Sequence, residues 1–234
     1  MSATATVTPV RRAIRFYEAT NGKKVVMAAT GVLLFGYVVA HLAGNLQVFA
    51  GGGPDGPINR YAHLLHSAGG MLWAARAVLL LAVGLHIIAA VQLWLLNRAA
   101  RPVAYHKKDD VPAAYAARTM KWSGVIIAAF IVFHVLHLTT GDVVPLATLP
   151  DGGMDVYANI VTGFSIWYVS LAYIVAVSLL GLHLYHGIYS MFQSIGLNHP
   201  RYSPRLKRIA EVFAIVLTAG YISIPAAVLA GILR

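Results

Sequence analysis

Five long apolar stretches constrain what this chain can fold into. A helix needs roughly 20 apolar residues to cross the hydrocarbon core of a bilayer, which is about 30 Å thick. Stretches of this length occupy residues 25–49, 72–96, 122–141, 164–192 and 209–233. Because a helix satisfies its backbone hydrogen bonds internally, we expect an all-α membrane protein, a bundle of five transmembrane helices.

The composition supports a membrane environment. The 234 residues are 59% hydrophobic and only 11% charged, whereas soluble domains have about 25% charged residues. No linker and no long internal repeat divides the sequence, so we expect residues 1–234 to form a single domain. The absence of cysteine excludes disulfides, thiolate metal sites, iron–sulfur clusters and Cys-x-x-Cys-His haem attachment on this chain.

The basic residues predict the orientation of the bundle. All but three of the 18 lysines and arginines flank one end of the predicted helices, and the exceptions are Arg60, Arg76 and Arg234. The majority set comprises Arg11, Arg12, Arg15, Lys23, Lys24, Arg98, Arg101, Lys107, Lys108, Arg118, Lys121, Arg201, Arg205, Lys207 and Arg208. Because cytoplasmic loops are enriched in basic residues, we expect the N-terminus in the cytoplasm and the C-terminus outside.

Four of the predicted spans each contain a histidine, and the four histidines fall at two depths. Ionisable residues within membrane spans are rare and usually functional. With a rise of 1.5 Å per residue, His41 and His134 lie roughly 20–24 Å from the inner ends of their spans, and His86 and His183 roughly 14–15 Å. Two facing imidazoles are what a six-coordinate haem iron needs. The spacing therefore predicts two haem sites stacked across the bilayer.

The spacing leaves alternatives open. An intramembrane histidine also serves as a proton-relay group or hydrogen-bonds between helices. Two spans carry a second histidine three residues after the first, His137 after His134 and His186 after His183. Depth in the membrane does not determine which of the two neighbours is the ligand. Gly44 and Gly187 share a helical face with His41 and His183 and would leave room for a flat macrocycle, but small residues also occur at ordinary membrane helix interfaces.

Five sequence segments of the spans together form a recognisable pattern. They are NGKKVVMAATG, GYVVAHLAGNLQVF, VGLHIIAAVQLW, ARTMKWSGVIIAAFIVFHVLH and, most specifically, GLHLYHGIYSMFQSIGLNHP. Through these segments the chain resembles, over nearly its whole length, the single-chain, five-helix cytochrome b subunit of succinate dehydrogenases and fumarate reductases, in the branch that carries two haems b.

The resemblance implies a function and a set of ligands. The distal, outer haem would be held by His41 and His134, and the proximal, inner haem by His86 and His183, so that His137 and His186 are neighbours only. The chain would anchor a flavoprotein subunit with FAD and an iron–sulfur subunit at the cytoplasmic membrane of a bacterium. Electrons from succinate would pass through the two haems to a quinone, expected to be menaquinone.

Other polar residues are candidates for the haem propionates and the quinone. A propionate needs a cationic or hydrogen-bonding partner, and Arg76 at the outer level fits unless it only extends to the interface. Weaker propionate candidates at the inner level are Lys24, Lys121 and Ser123. Quinone candidates are His63, His66 and Asp142 at the outer level and Asn21, Trp122 and Ser123 at the inner level.

Two other functions remain open at this point. One is the dihaem cytochrome b anchor of another respiratory dehydrogenase, such as a hydrogenase or a formate dehydrogenase. The other is a haem-free transporter or proton channel that uses the histidines as relay groups.

Overall fold

The protein is a helical bundle whose long helices match the apolar stretches. The computed structural model describes residues 9–100 and 115–234. Its helices are α1 (Pro9–Glu18), α2 (Thr20–Asn45), α3 (Pro57–Ser67), α4 (Gly70–Ala99), α5 (Tyr115–Val135), α6 (Val156–Ser165), α7 (Trp167–Ser194) and α8 (Ser203–Leu229). A 3₁₀ turn (Leu46–Ala50) extends α2, and a π-helical turn (Leu136–Thr140) extends α5.

The prediction of five membrane-spanning helices is confirmed for the described part of the chain. The helices α2, α4, α5, α7 and α8 are long and apolar enough to cross a bilayer. Large apolar side chains cover their outward faces, including Leu80 at 73% exposure and Trp122 at 73%. Such a surface is stable in lipid and not in water, so the chain is a multi-pass membrane protein.

Part of the charge pattern falls beyond what the structure describes. Arg101, Lys107 and Lys108 lie outside the described residues, and so do the side chains of Arg11, Arg12 and Arg118. The orientation of the bundle stays a prediction from the sequence.

The fourth span differs from its predicted bounds because the chain breaks at Ile166. We expected one stretch over residues 164–192, but α6 ends at Ser165 and α7 begins at Trp167, with Ile166 in an extended conformation. The break frees the carbonyl of Phe164, which accepts a hydrogen bond of 2.6 Å from the fully buried Ser170 hydroxyl. A buried carbonyl needs such a partner, so Ser170 stabilises the corner between α6 and α7.

The spans pack as two antiparallel pairs. Helix α4 lies mainly against α2, and α5 lies mainly against α7, while α8 packs on α7. A buried apolar cluster lies at the end of the bundle that holds α3 and α6, with Val48, Ile58, Phe164 and Tyr173 among its members. We call this the outer end, following the predicted orientation.

Two buried asparagines fix the loops at the outer end. Asn59 donates to the carboxylate of Asp155, at 3.0 Å, and accepts from the backbone N–H of Tyr157, at 3.1 Å. Asp155 also accepts from the N–H of Ala158 and so caps the start of α6. Asn159 bonds both backbone groups of Ala147. These bonds tie α3, α6 and the loop before α6 together.

Candidate functional site

The four histidines form two pairs. Each pair joins one helix of the α2–α4 pair to one helix of the α5–α7 pair. The outer pair is His41 of α2 and His134 of α5, with ring centroids 5.8 Å apart and ring planes nearly perpendicular. The inner pair is His86 of α4 and His183 of α7, with centroids 6.4 Å apart and planes inclined at 58°. These are the two pairs expected from depth and from the resemblance.

The spacing of both pairs fits a metal ion with two axial imidazoles. A metal–imidazole bond is about 2.0–2.1 Å, so two imidazoles on opposite sides of one ion have centroids roughly 6.3 Å apart. The distances of 5.8 and 6.4 Å lie on either side of that value. The helices that carry each pair pack mainly on other helices and make few close backbone contacts with each other. The residues therefore fit a flat group that is held from both faces.

At the inner level, a threonine hydroxyl fixes the orientation of His86. Thr30 Oγ1 lies 3.1 Å from His86 Nδ1. The same hydroxyl is 2.8 Å from the carbonyl of Val26 and 3.1 Å from that of Met27. When one of these carbonyls accepts its only proton, the hydroxyl accepts in turn from the Nδ1–H of His86. A neutral imidazole with its proton on Nδ1 presents the lone pair of Nε2 to a metal.

A serine has the same position beside His183. Ser123 Oγ is 3.5 Å from His183 Nδ1 and donates to the carbonyl of Met120 at 3.1 Å. The side chain is only 1% exposed, so bulk water does not replace the imidazole as its partner. This contact is longer than the one made by Thr30 and therefore weaker.

The two hydroxyls belong to a short internal repeat that the sequence analysis did not predict. Residues 30–41 read TGVLLFGYVVAH and residues 123–134 read SGVIIAAFIVFH. Both begin with a hydroxyl residue and a glycine and end, 11 residues later, at a histidine of the outer pair. The inner histidines also match, as VGLHII and LGLHLY. Aligning the helices on their histidines would have identified Thr30 from the sequence.

At the outer level, Tyr173 joins the two neighbouring histidines of α5. Its hydroxyl lies 3.1 Å from His134 Nδ1 and 2.8 Å from His137 Nδ1. The Tyr173 ring is held by edge contacts with Phe130 and Phe164, at centroid distances of 4.9 and 4.7 Å. If the Nδ1–H of His134 donates to Tyr173, the tyrosine proton goes to His137, whose own proton is then on Nε2.

His137 lies where it does because α6 has a glycine opposite it. The His137 side chain is 1% exposed, and its Nε2 has no hydrogen-bond partner. A Cβ on Gly163 would overlap this Nε2 atom. The ring of His137 is thus packed against the backbone of α6.

His41 is surrounded by tyrosines. Its ring stacks on Tyr37 at 5.3 Å and lies 6.2 Å from the ring of Tyr221. Tyr221 is fixed by donating to the carbonyl of Val38 at 2.7 Å. These rings hold the imidazole of His41 by its faces, in contrast to the hydroxyl contacts at the other three histidines.

The remaining second histidine, His186, also has its own partner. Its Nε2 lies 3.1 Å from the hydroxyl of Ser190, one turn further along α7. The structure thus places His134 and His183 in the pairs and gives His137 and His186 other contacts.

The two small residues expected beside the ligands differ in their surroundings. A Cβ on Gly44 would lie 2.7 Å from the Tyr61 ring, so Gly44 makes room for α3 rather than for a macrocycle. Gly187 has nothing within 4 Å of its Cβ position. The glycines that adjoin the inner imidazoles are Gly31 and Gly124, where an added Cβ would lie 3.5 Å from His86 Cε1 and 3.9 Å from His183 Cε1.

The polar candidates at the outer level are dispersed. Arg76 is half-buried with its guanidinium 4.9 Å from the Trp73 ring centroid. His63 and His66 are exposed on α3, and His66 Nδ1 bonds the carbonyl of Ala62 within its own helix. Asp142 is exposed and accepts a hydrogen bond from Thr140.

The inner-level candidates separate into one site residue and several surface residues. Only Ser123 touches a pair histidine. Lys121 lies 5.1 Å from the Trp94 ring centroid, while Lys24, Asn21 and Trp122 are exposed.

Comparison with known proteins gave no match, whether to protein-family models, to curated proteins or to solved structures.

Proposed function

We propose that this chain is a dihaem cytochrome b that anchors a succinate:quinone oxidoreductase in a bacterial cytoplasmic membrane. The proposal rests mainly on the two imidazole pairs at two levels of one membrane bundle. Within each pair the ring centroids are 5.8 and 6.4 Å apart, respectively. The choice of succinate dehydrogenase or fumarate reductase among cytochromes b rests on the sequence segments that resemble that family.

The protein's own residues would orient the ligands and exclude water. Hydroxyls on Nδ1 of His86, His183 and His134 leave Nε2 of each ring for the iron. Each bound haem would supply a one-electron Fe(III)/Fe(II) couple. The 11-residue spacing in α2 and α5 separates the two levels by roughly 16 Å along the helices, so that electrons entering at the cytoplasmic end would reach a quinone through two fixed positions.

The proposal includes partners and a substrate that the chain itself does not supply. A flavoprotein subunit would oxidise succinate with FAD, and an iron–sulfur subunit would deliver the electrons to the inner haem. Both would bind at the basic, cytoplasmic end. Menaquinone would accept the electrons, and Arg76 is the candidate to bind a propionate at the outer level.

Haem content of the purified native complex tests the proposal. A pyridine haemochrome assay should give about two haems b per chain, and succinate should reduce them. His41→Ala should remove one haem, whereas His63→Ala, on the exposed face of α3, should keep both. One haem or none in the wild-type protein would contradict the proposal. Two haems that formate or hydrogen reduces, and succinate does not, would identify the anchor of another dehydrogenase.

A proton-conducting protein without haem is the second candidate. The chain of hydrogen bonds from His134 through Tyr173 to His137 favours it, because adjacent imidazole and phenol groups can pass protons. A purified complex that has no Soret absorption and conducts protons in sealed vesicles would establish this alternative.

A further inference from the structure

We propose that Thr30 and Ser123 are positioning residues that set the redox potential of the inner haem. This inference rests on the proposed function and deepens it. Each hydroxyl would hold the Nδ1–H of one inner histidine and so determine which nitrogen faces the iron and how strongly it donates.

Proton counting supports this role. Each hydroxyl has one proton and lies within hydrogen-bonding distance of a carbonyl of its own helix, Val26 or Met27 for Thr30 and Met120 for Ser123. When that carbonyl accepts the proton, only acceptor lone pairs face the imidazole, and a neutral imidazole with its proton on Nδ1 donates to them. An acceptor on Nδ1–H raises the basicity of the coordinating nitrogen. A more basic ligand stabilises Fe(III) over Fe(II), so both hydroxyls should lower the potential.

The residue that follows each hydroxyl must be small. A Cβ on Gly31 would lie 3.5 Å from Cε1 of His86, and one on Gly124 would lie 3.9 Å from Cε1 of His183. These are ordinary contact distances, so alanine would fit as well as glycine, whereas a longer side chain would compete with the ring for space. Each hydroxyl is thus followed by a residue that leaves room for the imidazole.

The internal repeat is a second, independent observation. The hydroxyl–glycine dipeptide precedes the outer histidine by 11 residues in both α2 and α5. In each half the hydroxyl faces the inner histidine of the same half, Thr30 with His86 and Ser123 with His183. Two separate helices therefore place the same chemical group on the same imidazole atom. A hydroxyl that only satisfied its own helix would not need this placement.

Potentiometric titration of the haem absorbance in the native complex tests the inference. The couple that disappears in His183→Ala identifies the inner haem. Thr30→Val should raise the potential of that couple and leave the outer couple unchanged. A tenfold change in the preference for Fe(III) is a shift of about 59 mV for one electron. Ser123→Ala should shift the same couple upward by less, because its contact is 3.5 Å against 3.1 Å.

Conservative and matched variants distinguish the loss of the hydroxyl from a general loss of stability. Thr30→Ser keeps the hydroxyl and should retain the wild-type potential. Ser178→Ala removes a hydroxyl that also bonds a carbonyl of its own helix but is exposed, and it should shift neither couple. Loss of the inner haem in Thr30→Val with retention in Thr30→Ser would also support the inference, since losing such a partner typically lowers affinity about 10–100-fold.

Three results would overturn the inference. They are unchanged potentials in both Thr30→Val and Ser123→Ala, a shift in Thr30→Ser as large as in Thr30→Val, or an equal shift in Ser178→Ala. A wild-type complex without haem would instead refute the proposed function, so the two failures are distinguishable in one preparation.

Discussion

Single hydroxyl groups contact Nδ1 of three of the four paired histidines and so orient their rings. Thr30 and Ser123 contact the two inner imidazoles, and Tyr173 contacts His134 and His137 together. In an apolar interior an imidazole nitrogen without a partner is costly. A hydroxyl that satisfies Nδ1 therefore fixes the ring and leaves the opposite nitrogen for a ligand.

Removing the hydroxyl of Tyr173 should affect the outer level alone. Tyr173→Phe leaves Nδ1 of both His134 and His137 unpaired in the core, which should cost about 1–3 kcal/mol of stability. The outer haem potential should rise, while the inner couple stays unchanged. Potentiometry and thermal unfolding measure the two effects. Tyr168→Phe is the matched control, since Tyr168 is 60% exposed, and an equal effect there would refute the role of the Tyr173 hydroxyl.

The neighbouring histidines of α7 should differ sharply in their importance. His183 faces His86, whereas His186 bonds Ser190 on its own helix. His183→Ala should therefore lose the inner haem, and His186→Ala should keep two low-spin haems. Low-temperature visible spectra of the two variants give the haem count and spin state. Loss of a haem in His186→Ala together with its retention in His183→Ala would reverse the assignment.

At the scale of elements, the close approach of α6 to α5 positions His137. The π-helical turn at residues 136–140 carries His137 inward, where its ring meets the backbone of Gly163. The break at Ile166 lets α6 leave the line of α7 and cover this ring. The position of the His137 ring thus depends on Gly163 and on the break at Ile166.

Gly163→Ala should disturb this contact. The added methyl would overlap His137 Nε2, and overpacking of a core typically costs about 1–3 kcal/mol. Gly36→Ala, within α2, is the matched control, because nothing lies within 4 Å of its Cβ position and alanine favours a helix interior by about 1 kcal/mol. Thermal unfolding in detergent compares the two variants. Equal stability of both would show that α6 does not pack on His137.

At the scale of the whole molecule, the predicted orientation can be tested by labelling single introduced cysteines. The wild-type chain has no cysteine, so any label on this chain comes from the introduced residue. Asp55 and Pro200 are exposed in loops at opposite ends of the bundle. In intact cells, Asp55→Cys should react with a membrane-impermeant maleimide. Pro200→Cys should react only after permeabilisation, because basic loops stay in the cytoplasm. The opposite labelling pattern would show that the bundle has the reverse orientation, with His86 and His183 nearer the outer surface of the membrane.

The sequence by itself determined the five spans and the two histidine levels. Both depend only on position along the chain. The length of an apolar segment determines whether it crosses the bilayer, and the helical rise per residue determines how deep a residue lies. The break at Ile166 was not predicted, because the apolar run continues through it.

Only the tertiary structure decided which atoms meet. Residues three apart, such as His134 and His137, share nearly the same face and depth, and their partners depend on how α5 is rotated against α6 and α7. The hydroxyls of Thr30 and Tyr173 lie 56 and 39 residues from the histidines they contact. Such contacts arise from helix packing, which fixes the direction of each side chain as well as its depth.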